Sequence, residues 1–184
     1  MKKFFIMFII IVATTVFIND CKKNEVVDNS DKKQEELVVG ISYGNIATNF
    51  SEKDISGATF NLNDYKGKVI MLSFSAMWCG PCRAEAGELM ELYNKYKERG
   101  FELVQCVYQD EQGDPADESD LKRWKEEFGI TFKLISDSDY STINLYKVDL
   151  IPTNMIINKD FVIKYLNTGF DKVTIESVIL KSLK

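Results

Sequence analysis

Trp78-Cys79-Gly80-Pro81-Cys82 is the stretch of this 184-residue chain whose residue types and spacing carry the clearest chemistry. Two cysteines separated by two residues can close into a disulfide and open again, moving two electrons each time. The thiolate is the reactive species, so what matters is which groups lower the proton affinity of one sulfur. Two other uses of the motif compete. It could be half of a zinc site, but that needs two more ligands, and only Cys21 and Cys106 remain in a chain without histidine. It could also be a structural disulfide of an oxidising compartment. The absence of histidine further excludes His-based triads and covalent haem attachment through C-x-x-C-H.

The flanking pattern favours redox chemistry. Val69 to Phe74 is a nearly continuous apolar run, as in a strand buried on both faces. After the dithiol, Leu89, Leu92, Tyr93 and Tyr96 fall on one face of a helix, closed by Arg99-Gly100. The motif therefore sits between a strand and a helix N-terminus. Free N–H groups and the helix dipole there stabilise an anion, so the Cys79 thiolate is expected below the ordinary thiol range. Cys82 lies one turn further in, within reach of Cys79, and Pro81 suits the first helical turn.

Other elements follow along the chain. Thr59 to Leu62 alternates after a turn at Ser56-Gly57, and Phe101 to Tyr108 reads as a second apolar strand. An acidic loop, Asp110 to Glu118, leads to a helix with Leu121, Trp124 and Phe128 on one side and Gly129 at its end. Thr131 to Ile135 is a short strand and Ser141 to Tyr146 a short helix. Asn154 to Asn158 and Phe161 to Leu166 form an antiparallel pair around Lys159-Asp160. A last helix begins near Asp171 with Ile175, Val178 and Ile179 inward. This order implies an α/β fold, a mixed central sheet with helices on both faces.

Composition is that of a globular domain, 45% hydrophobic and 28% charged. The net charge of −5 is unevenly placed: Lys2, Lys3, Lys22 and Lys23 against Asp20 leave the first 23 residues at +3 and the remainder at −8. A domain that acidic is a poor partner for nucleic acid. Phe4 to Ile18 carries no charge, and as a helix it would rise about 22 Å, short of the roughly 30 Å hydrocarbon core. Residues 1–21 therefore read as a signal or anchor segment. Ile18-Asn19-Asp20-Cys21 resembles the lipobox of bacterial lipoproteins, with Cys21 the lipidated residue, although Asp20 stands where a small residue is usual. An uncleaved anchor is the alternative. Residues 22–46 read as a polar tether and residues 47–184 as the folded domain.

Phe50 to Cys82, with Phe60-Asn61-Leu62-Asn63-Asp64-Tyr65-Lys66-Gly67-Lys68 and Trp78-Cys79-Gly80-Pro81-Cys82, resembles the TlpA/ResA-type membrane-tethered thioredoxin-like oxidoreductases, and Asp149-Leu150-Ile151-Pro152-Thr153 continues the resemblance. It implies a thioredoxin fold with an N-terminal β-hairpin extension. It also maps the family's cis-proline onto Pro152, with the Ile151 backbone pairing with an extended substrate segment. Glu85 maps onto the acid that handles the proton of the inner cysteine, and Trp78, Gly80 and Pro81 onto the docking surface. In place of a proline that often follows the glutamate in this family, Ala86-Gly87 stands here, and Ser75 replaces a common aromatic.

The expected activity is reduction of disulfides in exported proteins at the cell envelope, with no cofactor and no metal. Apocytochrome c or a metal-site assembly protein are candidate targets. A membrane thiol carrier would restore the dithiol, and the chain would act as a monomer. Two rivals stand beside this reading. A thiol peroxidase of the peroxiredoxin group would need Thr-x-x-Cys and a nearby arginine, where this chain has Met77-Trp78-Cys79. A binding lipoprotein on the same scaffold would not need the cysteines. Cys106, mid-strand, reads as a small buried hydrophobe.

Overall fold

The computed structural model describes residues 37–184. The expected signal or anchor segment with Cys21, and most of the expected tether, lie outside the described residues. Among the described residues no helix is long and apolar enough to cross a membrane.

The apolar run around residue 70 forms an inner strand of a seven-stranded mixed sheet. In chain order the strands are β1 (Val39–Gly40), β2 (Ile46–Ala47), β3 (Ser51–Asp54), β4 (Thr59–Asn61), β5 (Val69–Ser75), β6 (Phe101–Val107), β7 (Lys133–Ser136), β8 (Thr153–Ile157) and β9 (Ile163–Thr168). The helices are α1 (Gly80–Tyr96), α2 (Glu118–Phe128), α3 (Ser141–Leu145) and α4 (Lys172–Ser182). The main sheet runs β4-β3-β7-β6-β5-β8-β9, while β1 and β2 make a separate parallel pair. Strands β5, β6 and β7 are mutually parallel, β8 and β9 antiparallel to their neighbours. Every residue of β5 is buried, which explains why its sequence reads as a run and not as an alternation.

Two cores follow from the pleat. On one face Met71, Leu103 and Ile156 meet Leu89, Leu92 and Tyr96 of α1, Leu121 and Trp124 of α2, and Ile175 and Ile179 of α4. On the other, Ile70, Leu72, Phe74 and Cys106 meet Phe50, Phe60, Leu62 and Tyr146. The second face is covered by the 3-10 turn Leu62–Tyr65 and the end of α3, and Phe60 from the β3–β4 hairpin and Phe50 before it add to that core. Helices thus flank the sheet on both faces, and the hairpin extends its far edge.

Three details differ from the sequence expectation. Val39 to Ile46, assigned to a tether, pairs onto the domain: Gly44 N–H donates to Ile163 O and Ile163 N–H to Asn45 O, both at 2.9 Å. Backbone bonds hold this segment, so its weakly apolar side chains gave no periodic signal. Strand β9 starts at Ile163, not Phe161, because Phe161 takes a left-handed conformation (φ 66°) to close the turn. Strand β3 is polar at every position, Ser51-Glu52-Lys53-Asp54, so no apolar alternation marks it as a strand.

Candidate active site

The dithiol lies just beyond the C-terminal end of β5. Tyr108 N–H donates to Ser75 O and Met77 N–H to Gln109 O, so the chain leaving β5 is held against the chain leaving β6. Cys79 is the N-cap of α1, with an extended backbone (φ −76°, ψ 107°), Gly80 is its first residue and Pro81 its second. The Cys79 sulfur accepts the Cys82 backbone N–H at 3.2 Å. That donor and the positive end of the helix dipole lie at the sulfur, the arrangement that stabilises a thiolate. Cys79 and Cys82 are joined in a disulfide, S–S 2.08 Å.

Exposure divides the roles within the site. Cys82 is fully buried, Cys79 nearly so, whereas Trp78 is 49% exposed and Gly80 and Pro81 face solvent. The Trp78 indole is fixed despite its exposure: Nε1 donates to Gln109 Oε1 at 2.9 Å, and Gln109 Nε2 donates to Gly113 O at 2.8 Å. The acidic loop after β6 therefore holds the rim of the site. Gln109 was not singled out from sequence, since a lone Gln after a strand carries no signal.

The Ile151–Pro152 bond is cis. Ile151 packs with Tyr108 against Ala76, Cys79 and Cys82, and Leu150 beside it is 66% exposed. Trp78 and Ile151 thus present apolar surface beside the dithiol. Pro152 itself is buried, and the next residue, Thr153, opens β8 opposite Phe74.

Glu85 lies on α1 three residues beyond Cys82, on the same face. It is 3% exposed. Its Oε1 accepts the Ser73 hydroxyl at 2.9 Å and its Oε2 the Asn154 amide at 3.1 Å. Burial pushes its pKa up to about 7, and the two donors oppose that rise. A carboxyl near neutrality, one helical turn beyond the buried Cys82, can take up or release a proton at ordinary pH. Ser73 and Asn154 are the further polar residues that sequence reasoning missed. Each interrupts an apolar strand, but nothing in a linear sequence shows that they are cross-strand partners.

Other candidates fall outside the site. Cys106 is on the opposite face of β6, in the second core, and burial pushes its thiol pKa well up. Arg83 follows Cys82 and its guanidinium spans the loop and α2: it lies over Trp124 and Phe128, pairs with Glu127, and donates through Nη1 to Met77 O at 3.3 Å. Helix α1 is unbroken from Gly80 to Tyr96, through Ala86-Gly87.

Comparison with known proteins gives a consistent result. The model of the AhpC/TSA family matches residues 43–166. Thiol-disulfide oxidoreductase ResA of Geobacillus kaustophilus is 33% identical over 129 residues, covering 70% of this chain and 71% of the relative. ResA of Bacillus thuringiensis is 36% identical over 119 residues, 64% of either chain. The crystal structure of a thiol:disulfide interchange protein DsbE from Chlorobium tepidum superposes with a TM-score of 0.70 at 28% identity, over 79% of this chain and all of that one.

Proposed function

The chain belongs to the AhpC/TSA family and is a thiol-disulfide oxidoreductase of thioredoxin fold, and we propose that it acts as a reductase of disulfides in exported proteins. The observation that carries the reading is the Cys79–Cys82 pair at the N-terminus of α1 with the Glu85 carboxyl buried on the same helix face.

In the reduced enzyme the Cys79 thiolate attacks one sulfur of a target disulfide. A bond forms between Cys79 and the target, the target's S–S bond breaks, and its second sulfur leaves as a thiolate. Cys82 then gives its proton to the Glu85 carboxylate and attacks the Cys79 sulfur. The mixed disulfide breaks, the other target sulfur leaves, and the enzyme ends as the Cys79–Cys82 disulfide. Two electrons pass from the dithiol to the target. The exposed Trp78 indole, Gly80, Pro81 and the Ile151–Pro152 segment form the surface on which an extended target segment docks.

The positive n-region, the apolar segment and Cys21 support an extracytoplasmic domain held at the membrane, by a lipid on Cys21 or by the segment itself. There a membrane thiol carrier is the required reductant, and apocytochrome c or a metal-site assembly protein fits the role of target. Gly80-Pro81 between the cysteines favours the reducing direction. The peroxidase alternative is disfavoured because Ala76 stands where that chemistry needs threonine, and the Arg83 guanidinium is taken up by Glu127 and the Met77 carbonyl.

The reduction potential of the pair, followed by Trp78 emission, tests the direction. A value near that of thioredoxin, about −270 mV, is expected, and a value near about −120 mV would make the protein an oxidant instead. Cys82→Ser should accumulate a mixed disulfide through Cys79 with an oxidised target, and Cys79→Ser should form none. Equal turnover by both variants and the wild type would remove the enzyme reading.

A further inference from the structure

We infer that Ser73 and Asn154 are positioning residues for the proton step at Cys82: together they clamp the Glu85 carboxylate over the middle of the sheet, and Asn154 ties it to the Pro152 segment. The inference rests on the reading of Glu85 as the proton acceptor.

Ser73 and Asn154 face each other across β5 and β8, and both are fully buried. Ser73 lies between the buried Leu72 and Phe74, and Asn154 is followed by the buried Met155 to Ile157. A polar side chain in such a place is costly unless it finds a partner. Their donors converge on one carboxylate, one on each oxygen. Two donors on two oxygens fix the rotamer of Glu85 and favour its anionic form, the form that can accept a proton.

Asn154 does more than pair with Glu85. Its amide nitrogen also donates to Gly169 O at 3.1 Å, and Gly169 N–H donates to Pro152 O at 2.7 Å. A continuous path of hydrogen bonds therefore links the carboxylate to the backbone segment proposed to receive the target. The Asn154 Oδ1 has no partner among the described residues although it is buried. An apolar side chain would avoid that cost, so packing alone does not account for asparagine here.

The test uses the full-length chain with Ser73→Ala, Asn154→Leu and Glu85→Gln as separate variants. Reduced protein is mixed with an aromatic disulfide, which releases one coloured thiolate as it forms a mixed disulfide on Cys79. Release of the second coloured thiolate reports attack by Cys82. In the wild type this rate should rise through about pH 7, where Glu85 loses its proton. Losing one donor to a charged group should move the rise up by about one pH unit, so that release is about fivefold slower at about pH 7, about tenfold slower below about pH 6, and rejoins the wild-type rate at high pH. Mere loss of packing would slow release at every pH. A second measurement is the carbon-13 titration of the Glu85 carboxyl in the oxidised protein, where neither Cys79 nor Cys82 titrates. It should show the same upward move without any turnover. Rate profiles and carboxyl titrations of Ser73→Ala and Asn154→Leu that superpose on the wild type, with Glu85→Gln losing the rise, would overturn the positioning role alone. A Glu85→Gln profile identical to wild type would overturn the proton-acceptor reading, and the clamp with it.

Discussion

Glu85 is a carboxyl that the fold buries in spite of its charge, and the consequence for stability has a definite sign. Burial, set against the Ser73 and Asn154 donors, moves its pKa from an ordinary value of 4.5 up to about 7. The folded state therefore binds a proton more tightly than the unfolded state does. The contribution is fully present below about pH 4.5 and is lost as pH rises through about 7. The size of the loss is on the order of 3 kcal/mol. Asp137 is pushed in the same direction by its burial, so the readout is the difference between variant and wild type. Glu85→Gln should be more stable than wild type at alkaline pH, and the gap should close as pH falls toward 4.5. Urea midpoints of the oxidised proteins across pH measure this. A gap that does not vary with pH would show that Glu85 is not held at a raised pKa. Cys106 needs no such tuning: it sits in the other core, and substitution by Ala or Ser should leave the dithiol's potential unchanged.

At the level of elements, the strand–dithiol–helix unit was legible because each part is local. The β5 run, Pro81 in the first turn and the stripe on α1 all lie within one stretch of chain. The partners of Glu85 were not legible, because Ser73 and Asn154 meet only once the register of β5 against β8 exists. The grip of Gln109 on Trp78 depends likewise on β5 and β6 ending side by side. Helix α2 lies between these cases. Its apolar side, with Trp124, was visible, but its start was read only as the end of an acidic loop. Asp117 is in fact an N-cap that accepts the Ser119 N–H at 2.7 Å and the Asp120 N–H at 3.0 Å, and Asp120 accepts the Asp117 N–H in return. This capping box fixes where α2 begins and so where Trp124 meets Gln105, whose Oε1 accepts the indole N–H. Asp117→Ala should cost about 1 kcal/mol. It should lower the urea midpoint with an unchanged slope and leave the reduction potential alone. A shifted potential would mean that α2 and the acidic loop control the dithiol directly.

At the level of the whole molecule, the sheet has two outer strands, β4 and β9, and unpaired edges invite association with other chains. The start of β9 is not left open. Ile163 uses its N–H and its C=O on Asn45 and Gly44, Ala47 N–H donates to Phe161 O, and Ile46 bridges Val162. Ile41 and Ile46 add apolar contact to the second core. The stretch that composition assigns to a tether is thus an edge cover, and no periodicity betrays it because the backbone supplies the hold. A chain beginning at Ala47 would leave both backbone groups of a fully buried residue, Ile163, without these partners. Two lost hydrogen bonds at about 1 kcal/mol each put the expected destabilisation at about 2 kcal/mol. The bared strand should also promote self-association. Chains beginning at Leu37 and at Ala47, compared by urea unfolding and by light scattering, measure both effects. Equal midpoints and equal mass would return residues 37–46 to the tether. A lower midpoint with larger species for the shorter chain would place the start of the domain before Val39.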